Sequence, residues 1–311
     1  MLLENFYFIY DNFPWFFAVF AFCMGAIVGS FLNVCIYRIP EGLSVILPGS
    51  RCGICGSPIP FYLNIPIFTW FFLRGKTACC NKPYSFRYAF VEILTGGMFL
   101  WIWLVSPPII ALIGMVFAFI LIATTFIDLN HMIIPLRFSV GGMILGVIQS
   151  ALYPELHGIS GGVGLEASVK SGILSVIGVL VGSGTIYWIR LLAEIALRKE
   201  TMGEGDVMFM GCIGAFCGWQ GGLFAIFGGS MIGTLLILPI MLIQRLRRPK
   251  EATAEPAEEE AKEDSENEEE QEIGIGMAIP FGPMLALGGW LYFAGLKPWI
   301  DAYLQPFVEL F

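Results

Sequence analysis

The sequence predicts an all-α integral membrane protein of about eight transmembrane helices, with a cysteine-containing loop between the first and second. Three observations predict it. The 311-residue chain is 57% apolar and only 14% charged, a balance outside the range of soluble globular domains. Its apolar residues gather into runs near the roughly 20 residues needed to cross the hydrocarbon layer. Lysine and arginine crowd into alternate connections between those runs.

In order, the runs cover residues 15–37, 88–106, 109–127, 132–153, 169–193, 207–219, 222–244 and 277–296. Before the first, Met1–Pro14 carries Glu4 and Asp11 and no base, unlike the basic head of a cleaved secretory signal; residues 1–37 therefore read as a retained span. Residues 38–87 form a basic loop holding four cysteines, and 88–248 the main helical bundle. The sixth run is short and rich in glycine, which predicts a tilted or partly unwound helix. Residues 249–276 are acidic and almost without apolar content before Ile273, the composition of a disordered segment. Residues 277–311 supply the last span and, from Lys297, a short outer amphipathic segment.

The net charge of −8 belongs to that acidic insert: between Glu251 and Glu272 the chain carries −11, leaving +3 for the rest. No basic stripe interleaved with aromatics is present, so nucleic-acid binding has no support. With the N-terminus outside, fifteen bases fall on the inner side and only Lys170 and Lys297 on the outer. That bias predicts a multi-pass protein of the cytoplasmic membrane in contact with the lipid bilayer. Glycines recur at four-residue spacing (Gly25/Gly29, Gly142/Gly146, Gly178/Gly182, Gly214/Gly218, Gly229/Gly233), which predicts a tight bundle.

Two carboxylates carry the chemistry. Asp128 ends the third run and Asp206 begins the sixth, within Met202-Gly-Glu-Gly-Asp206, so the topology puts both on the inner face. A carboxylate at the edge of the hydrocarbon layer is costly and marks a functional position. Two such groups close together share a proton, and the pair can activate water for amide hydrolysis with no catalytic metal. Helix position biases the pair: Asp206 opens a helix, where free N–H groups favour its charge, while Asp128 lies near a helix C-terminus. Gly203 and Gly205 permit unusual backbone geometry and close approach of a substrate strand. Taken singly, Asp206 reads equally well as a helix cap and Asp128 as an interfacial residue; their joint placement favours the dyad.

The motifs then resemble the type 4 prepilin leader peptidase family, bacterial membrane aspartic proteases. Gly29-Ser-Phe-Leu-Asn-Val34 with Tyr37-Arg-Ile-Pro40 is similar to its opening motif. Asn64-Ile-Pro66, Leu73-Arg-Gly-Lys76 and Val91-Glu-Ile-Leu94 fit its soluble loop and exit. Asp128-Leu-Asn-His-Met-Ile-Ile-Pro135 and Gly203-Glu-Gly-Asp206 resemble its two aspartate motifs, and Ile279-Pro-Phe-Gly-Pro-Met-Leu-Ala286 its last helix. The resemblance implies that Asp128 and Asp206 are catalytic and that the substrates are type IV prepilins or type II secretion pseudopilins, cleaved after glycine behind a basic leader. It also implies N-methylation of the new N-terminus with S-adenosylmethionine, although no glycine-rich strand–turn–helix marks a separate methyltransferase fold.

Cys52-Gly-Ile-Cys55 is half of a zinc ribbon. The family's second pair follows the Arg-Gly-Lys run; here Thr77 occupies one of its positions and Cys80 the other, with Cys79 as the available substitute. Structural zinc on Cys52, Cys55, Cys79 and Cys80 is the expectation, against a loop held by packing with reduced thiols. Cys23, Cys35, Cys212 and Cys217 fall within spans and read as small buried hydrophobes. His131 and His157 lack partners at ligand spacing, and His131 reads as an interfacial surface residue. The chain departs from the family where Met208 stands in place of a frequent lysine and Leu136 in place of a frequent aspartate. An ammonium at 208 would hold Asp206 ionised.

The acidic insert reads as a solvated linker, or as an electrostatic lure for a basic leader. An ion-coupled transporter using Asp128 and Asp206 is the alternative function, and a membrane scaffold with a zinc-bearing docking loop a third. Sequence leaves the oligomeric state open.

Overall fold

The computed structural model describes residues 10, 12–159, 164–199, 202–247 and 280–308, and the expected acidic insert at 249–276 lies outside them. Helix α1 (Pro14–Arg38) leads into the cysteine loop, which contains the short α2 (Phe68–Phe72). The bundle continues through α3 (Arg87–Val105), α4 (Pro108–His131), α5 (Leu136–Leu152), α6 (Leu165–Leu197) and α7 (Glu204–Arg247). Helix α8 (Gly282–Leu291) runs through a π-helical turn, Tyr292–Leu296, into α9 (Lys297–Val308). Prolines open α1 and α4, where the missing N–H costs nothing.

Among the described residues five helices are long and apolar enough to cross a membrane: α1, α3, α4, α6 and the Glu204–Leu235 part of α7; α5 is apolar but shorter. Helix α7 is not one rod. At Gly218 the backbone turns out of helix (φ 70°, ψ −178°). A Cβ on Gly222 would lie 3.9 Å from the Cα of Gly214, a contact that only a fold-back allows. The two arms are the sixth and seventh runs, so the described residues hold the eight expected segments. The C-terminal segment, expected as a short amphipathic piece, is helical from Lys297 to Val308 and follows directly on the last span.

A break inside a membrane bundle must satisfy the carbonyls it frees. Ser175 Oγ donates to the Ala215 carbonyl at 2.8 Å and Ser150 Oγ approaches it at 3.4 Å. The His157 ring sits 3.0 Å from Ser150 Oγ, and Lys297 Nζ donates to the Leu156 carbonyl. These polar groups lie at the end of the bundle opposite Asp128 and Asp206.

The glycine pairs acquire partners. A Cβ on Gly25 or Gly29 would meet α3 backbone at 2.8 Å, and one on Gly182 the Met210 carbonyl at 2.8 Å. Gly178 faces the Gly214 carbonyl directly, Gly146 meets Ala215, and Gly229 packs on the Met284 carbonyl. Around these crossings lies a core of Phe117, Phe209, Met210, Ile213, Phe216, Leu285 and Tyr292. The first arm of α7 is therefore enclosed by α4, α5, α6 and α8. Cys35, Cys212 and Cys217 are buried as expected, but Cys23 is exposed on the outer surface of α1.

Candidate active site

Asp128 occupies the last turn of α4. Its carbonyl accepts from the N–H of Met132, whose left-handed backbone (φ 53°) ends the helix. The side chain turns the other way and accepts from the N–H of Gly282 at 3.1 Å. Gly282 opens α8, so Asp128 lies at the C-terminus of its own helix and at the N-terminus of another. The sequence shows only the first of these fields. The contact is close: a Cβ on Gly282 would stand 2.6 Å from Asp128 Oδ2.

Asp206 lies in the first turn of α7, and the Gly203 N–H donates to its carboxylate. That is the backward half of a capping box, with the acid three residues into the helix reaching back to the cap. Asp206 also lies within electrostatic reach of Asp128 and of Arg190. Both aspartates are enclosed, 5% and 9% exposed, and among the other described acids only Glu92 is as buried. Ile134, from the Asp128 motif, lies between the starts of α7 and α8: a Cβ on Gly205 would come within 2.7 Å of Ile134 Cβ, and one on Gly282 within 3.3 Å of Ile134 Cδ1. Gly205 thus brings α7 against the α4–α5 connection, while an added Cβ on Gly203 meets nothing nearer than 3.7 Å.

Sequence reasoning missed Gly282, Ile134 and Arg190. The Phe281-Gly-Pro283 helix start was the available signal for the first. Arg190, on α6, bonds Glu194 Oε1 through Nε at 2.7 Å and stands 4.0 Å from Glu204 Oε1. A guanidinium therefore faces the start of α7, and Met208, two residues after Asp206, is 40% exposed. His131 is exposed, as expected of an interfacial residue.

The cysteine loop folds as two matching knuckles. Isolated bridges pair Arg51 with Pro58 and Lys76 with Pro83. Cys52 N–H bonds the Ser57 carbonyl at 2.9 Å and Thr77 N–H the Lys82 carbonyl at 2.9 Å, while Gly56 and Asn81 take the same positive-φ position. Thr77 is thus the counterpart of Cys52, and Cys80 of Cys55. Cys79, the counterpart of Ile54, turns inward, and the sulfurs of Cys52, Cys55, Cys79 and Cys80 all lie within 4.8 Å of one another. Cys55 and Cys79 are 3.3 Å apart, and Thr77 Oγ1 is 3.0 Å from Cys80. Ser57, followed by the Cys79 thiol, holds Cys55 down at about 6; donation to Cys55 and Cys52 pushes Cys79 up to about 12. Sulfurs 2.3 Å from a tetrahedral zinc lie about 3.8 Å apart, so the cluster fits that ion.

The model of the bacterial peptidase A24 N-terminal domain matches residues 23–106, and that of the type IV leader peptidase family matches residues 115–238. Among curated relatives, the prepilin leader peptidase/N-methyltransferase of Myxococcus xanthus (strain DK1622) is 31% identical, covering 93% of this chain and 92% of its own. Those of Klebsiella pneumoniae and Dichelobacter nodosus are 32% and 28% identical over 67% and 86% of this chain, and 89% and 87% of their own. No solved structure matches. With both halves matched in order and a relative aligned nearly end to end, the chain belongs to the type IV leader peptidase family.

Proposed function

We propose that the protein is a membrane aspartic endopeptidase that removes the basic leader of prepilins or pseudopilins after glycine, with Asp128 and Asp206 as its catalytic pair. The observation that carries this reading is the meeting of two enclosed carboxylates, from motifs far apart in sequence, at one end of the bundle. One carboxylate takes a proton from water as the water attacks the scissile carbonyl. The other, protonated, donates to the carbonyl oxygen, and no covalent enzyme intermediate forms. The N–H groups of Gly203 and Gly282 hold the two acids in position, and the open space beside Gly203 suits approach of the substrate backbone. The bias of lysine and arginine toward the loops at this end supports a cytoplasmic site. A carrier would instead hold its acids near the bilayer midplane.

Zinc, if bound, is held by Cys52, Cys55, Cys79 and Cys80, joins the two knuckles and takes no part in peptide cleavage. The relatives' names also carry N-methylation, which we extend to this chain with S-adenosylmethionine as donor. No strand–turn–helix cradle occurs among the described residues.

The test is leader cleavage of a purified prepilin in detergent by wild type, Asp128→Ala and Asp206→Ala. Both variants are expected to be inactive while remaining folded. Cleavage retained by either removes the dyad.

A further inference from the structure

The cysteine loop is anchored well inside the ends of the helices that carry it. The Ile67 N–H donates to Glu92 Oε2 at 2.7 Å, and Ser30 bonds the same carboxylate. Glu92 is five residues into α3 from Arg87, and Ser30 is eight residues back from Arg38 on α1. At 1.5 Å per residue these are depths of about 7 and 12 Å. The headgroup layer is only roughly 5–8 Å deep on each side of the bilayer. With Arg87 and Arg38 at the water boundary, the backbone at Ile67 lies at the base of the headgroup layer, where the acyl chains begin, on the same side as the two aspartates.

Non-helical backbone survives at that depth only where the protein satisfies its polar groups. Here Ile67 is the centre of a γ-turn (φ 66°, ψ −58°), with the Phe68 N–H bonded to the Pro66 carbonyl at 2.6 Å. That geometry is rare and strained, more so for a β-branched residue. The buried Glu92 carboxylate takes the one N–H the turn leaves over.

Beyond the turn the chain is apolar and uncovered. Phe68, Phe71 and Phe72 are 74%, 55% and 84% exposed, while Trp70 packs inward on Gly75 and Phe86. Ile65 and Tyr62 extend the patch. Arg74 and Lys76, both exposed, come directly after it. Aromatics at acyl depth followed by bases at headgroup level is the pattern of an element lying in a leaflet that contains anionic lipid.

We propose that residues 61–73 form a re-entrant element seated in the phospholipid leaflet on the aspartates' side, with Phe68, Phe71 and Phe72 among the acyl chains and Arg74 and Lys76 at the phosphates. The partner is lipid, and the effect is to pin the cysteine knuckles to the membrane surface.

The experiment reconstitutes the full-length protein in vesicles of phosphatidylcholine and phosphatidylglycerol containing a phospholipid with a diazirine in its acyl chain. Adducts are mapped by mass spectrometry after illumination. Lipid-facing Leu180, Trp188 and Leu192 of α6 serve as the positive reference, and exposed Gly53 as the aqueous one. Adducts are expected on 61–73 as on α6, with none at Gly53. The double variant Phe68→Glu/Phe72→Glu should lower the 61–73 adducts by about tenfold while those on α6 persist, which shows the bundle intact. Labelling of α6 without 61–73 overturns the proposal. So does loss of the 61–73 adducts alone on adding a synthetic prepilin peptide, which would make the patch a peptide-docking surface. None of these readouts depends on leader cleavage.

Discussion

Gly282→Ala tests how Asp128 is positioned, without touching either carboxylate. The new Cβ would stand 2.6 Å from Oδ2, so the carboxylate must retreat about 0.8 Å to reach the 3.4 Å at which ordinary contact begins. The bond from the Gly282 N–H, 3.1 Å in the native chain, is then lost. A hydrogen bond to a charged group contributes about 1.5–3 kcal/mol, and each 1.36 kcal/mol in the barrier is about tenfold in rate. We therefore expect kcat for leader cleavage to fall by about 10- to 100-fold with KM little changed, since orientation is lost and substrate contacts are not. The assay is time-resolved cleavage of a prepilin in detergent across substrate concentrations, with thermal unfolding measured in parallel. Gly97→Ala, where an added Cβ meets nothing within 4 Å, is the control and should retain full activity. Should Gly282→Ala keep kcat within about twofold while Asp128→Ala is inactive, the N-terminus of α8 is not what aims Asp128.

Contacts elsewhere give three further outcomes. Gly178→Leu places its side chain on the Gly214 carbonyl and should lower stability by about 3 kcal/mol or more, read as loss of the folded, monodisperse protein in detergent. Cys79→Ser should reduce bound zinc, measured by elemental analysis, to well below one per chain, whereas Thr77→Ser should leave it unchanged; equal retention by both would remove Cys79 as a ligand. Glu92→Ala leaves the Ile67 N–H without its partner, at a cost of about 1.5–3 kcal/mol, and should expose residues 61–73 to faster proteolysis while α4 to α8 stay protected.

The spans, and the placing of Asp128 and Asp206 at one end of the bundle, were legible because lipid allows few ways to bury a backbone and the chain must cross it alternately. The glycine pairs announced close crossings, but four-residue spacing does not name a partner. Nothing local distinguishes the fold-back at Gly218 from a tilted helix; it depends on Ser150, Ser175 and His157, from other elements, converging on the freed Ala215 carbonyl. For Asp128 the missing information lay 154 residues away at Gly282, beyond any periodicity. The same holds for the cysteines: alignment of the knuckles identifies Thr77 as the odd residue, but only the backbone of the second knuckle shows that the Cys79 side chain turns toward the other thiols. Cys23 shows the limit of apolar content as a guide, since lipid-facing and core-facing positions look alike in a membrane span.

The turn at Gly218 gives the arm carrying Asp206 only the stretch from Glu204 to Cys217, about 21 Å at 1.5 Å per residue, against a hydrocarbon layer of about 30 Å. That arm is enclosed by α4, α5, α6 and α8, so neighbouring helices rather than lipid make up the difference, and its polar start, with Asp206, is sheltered by helices longer than itself.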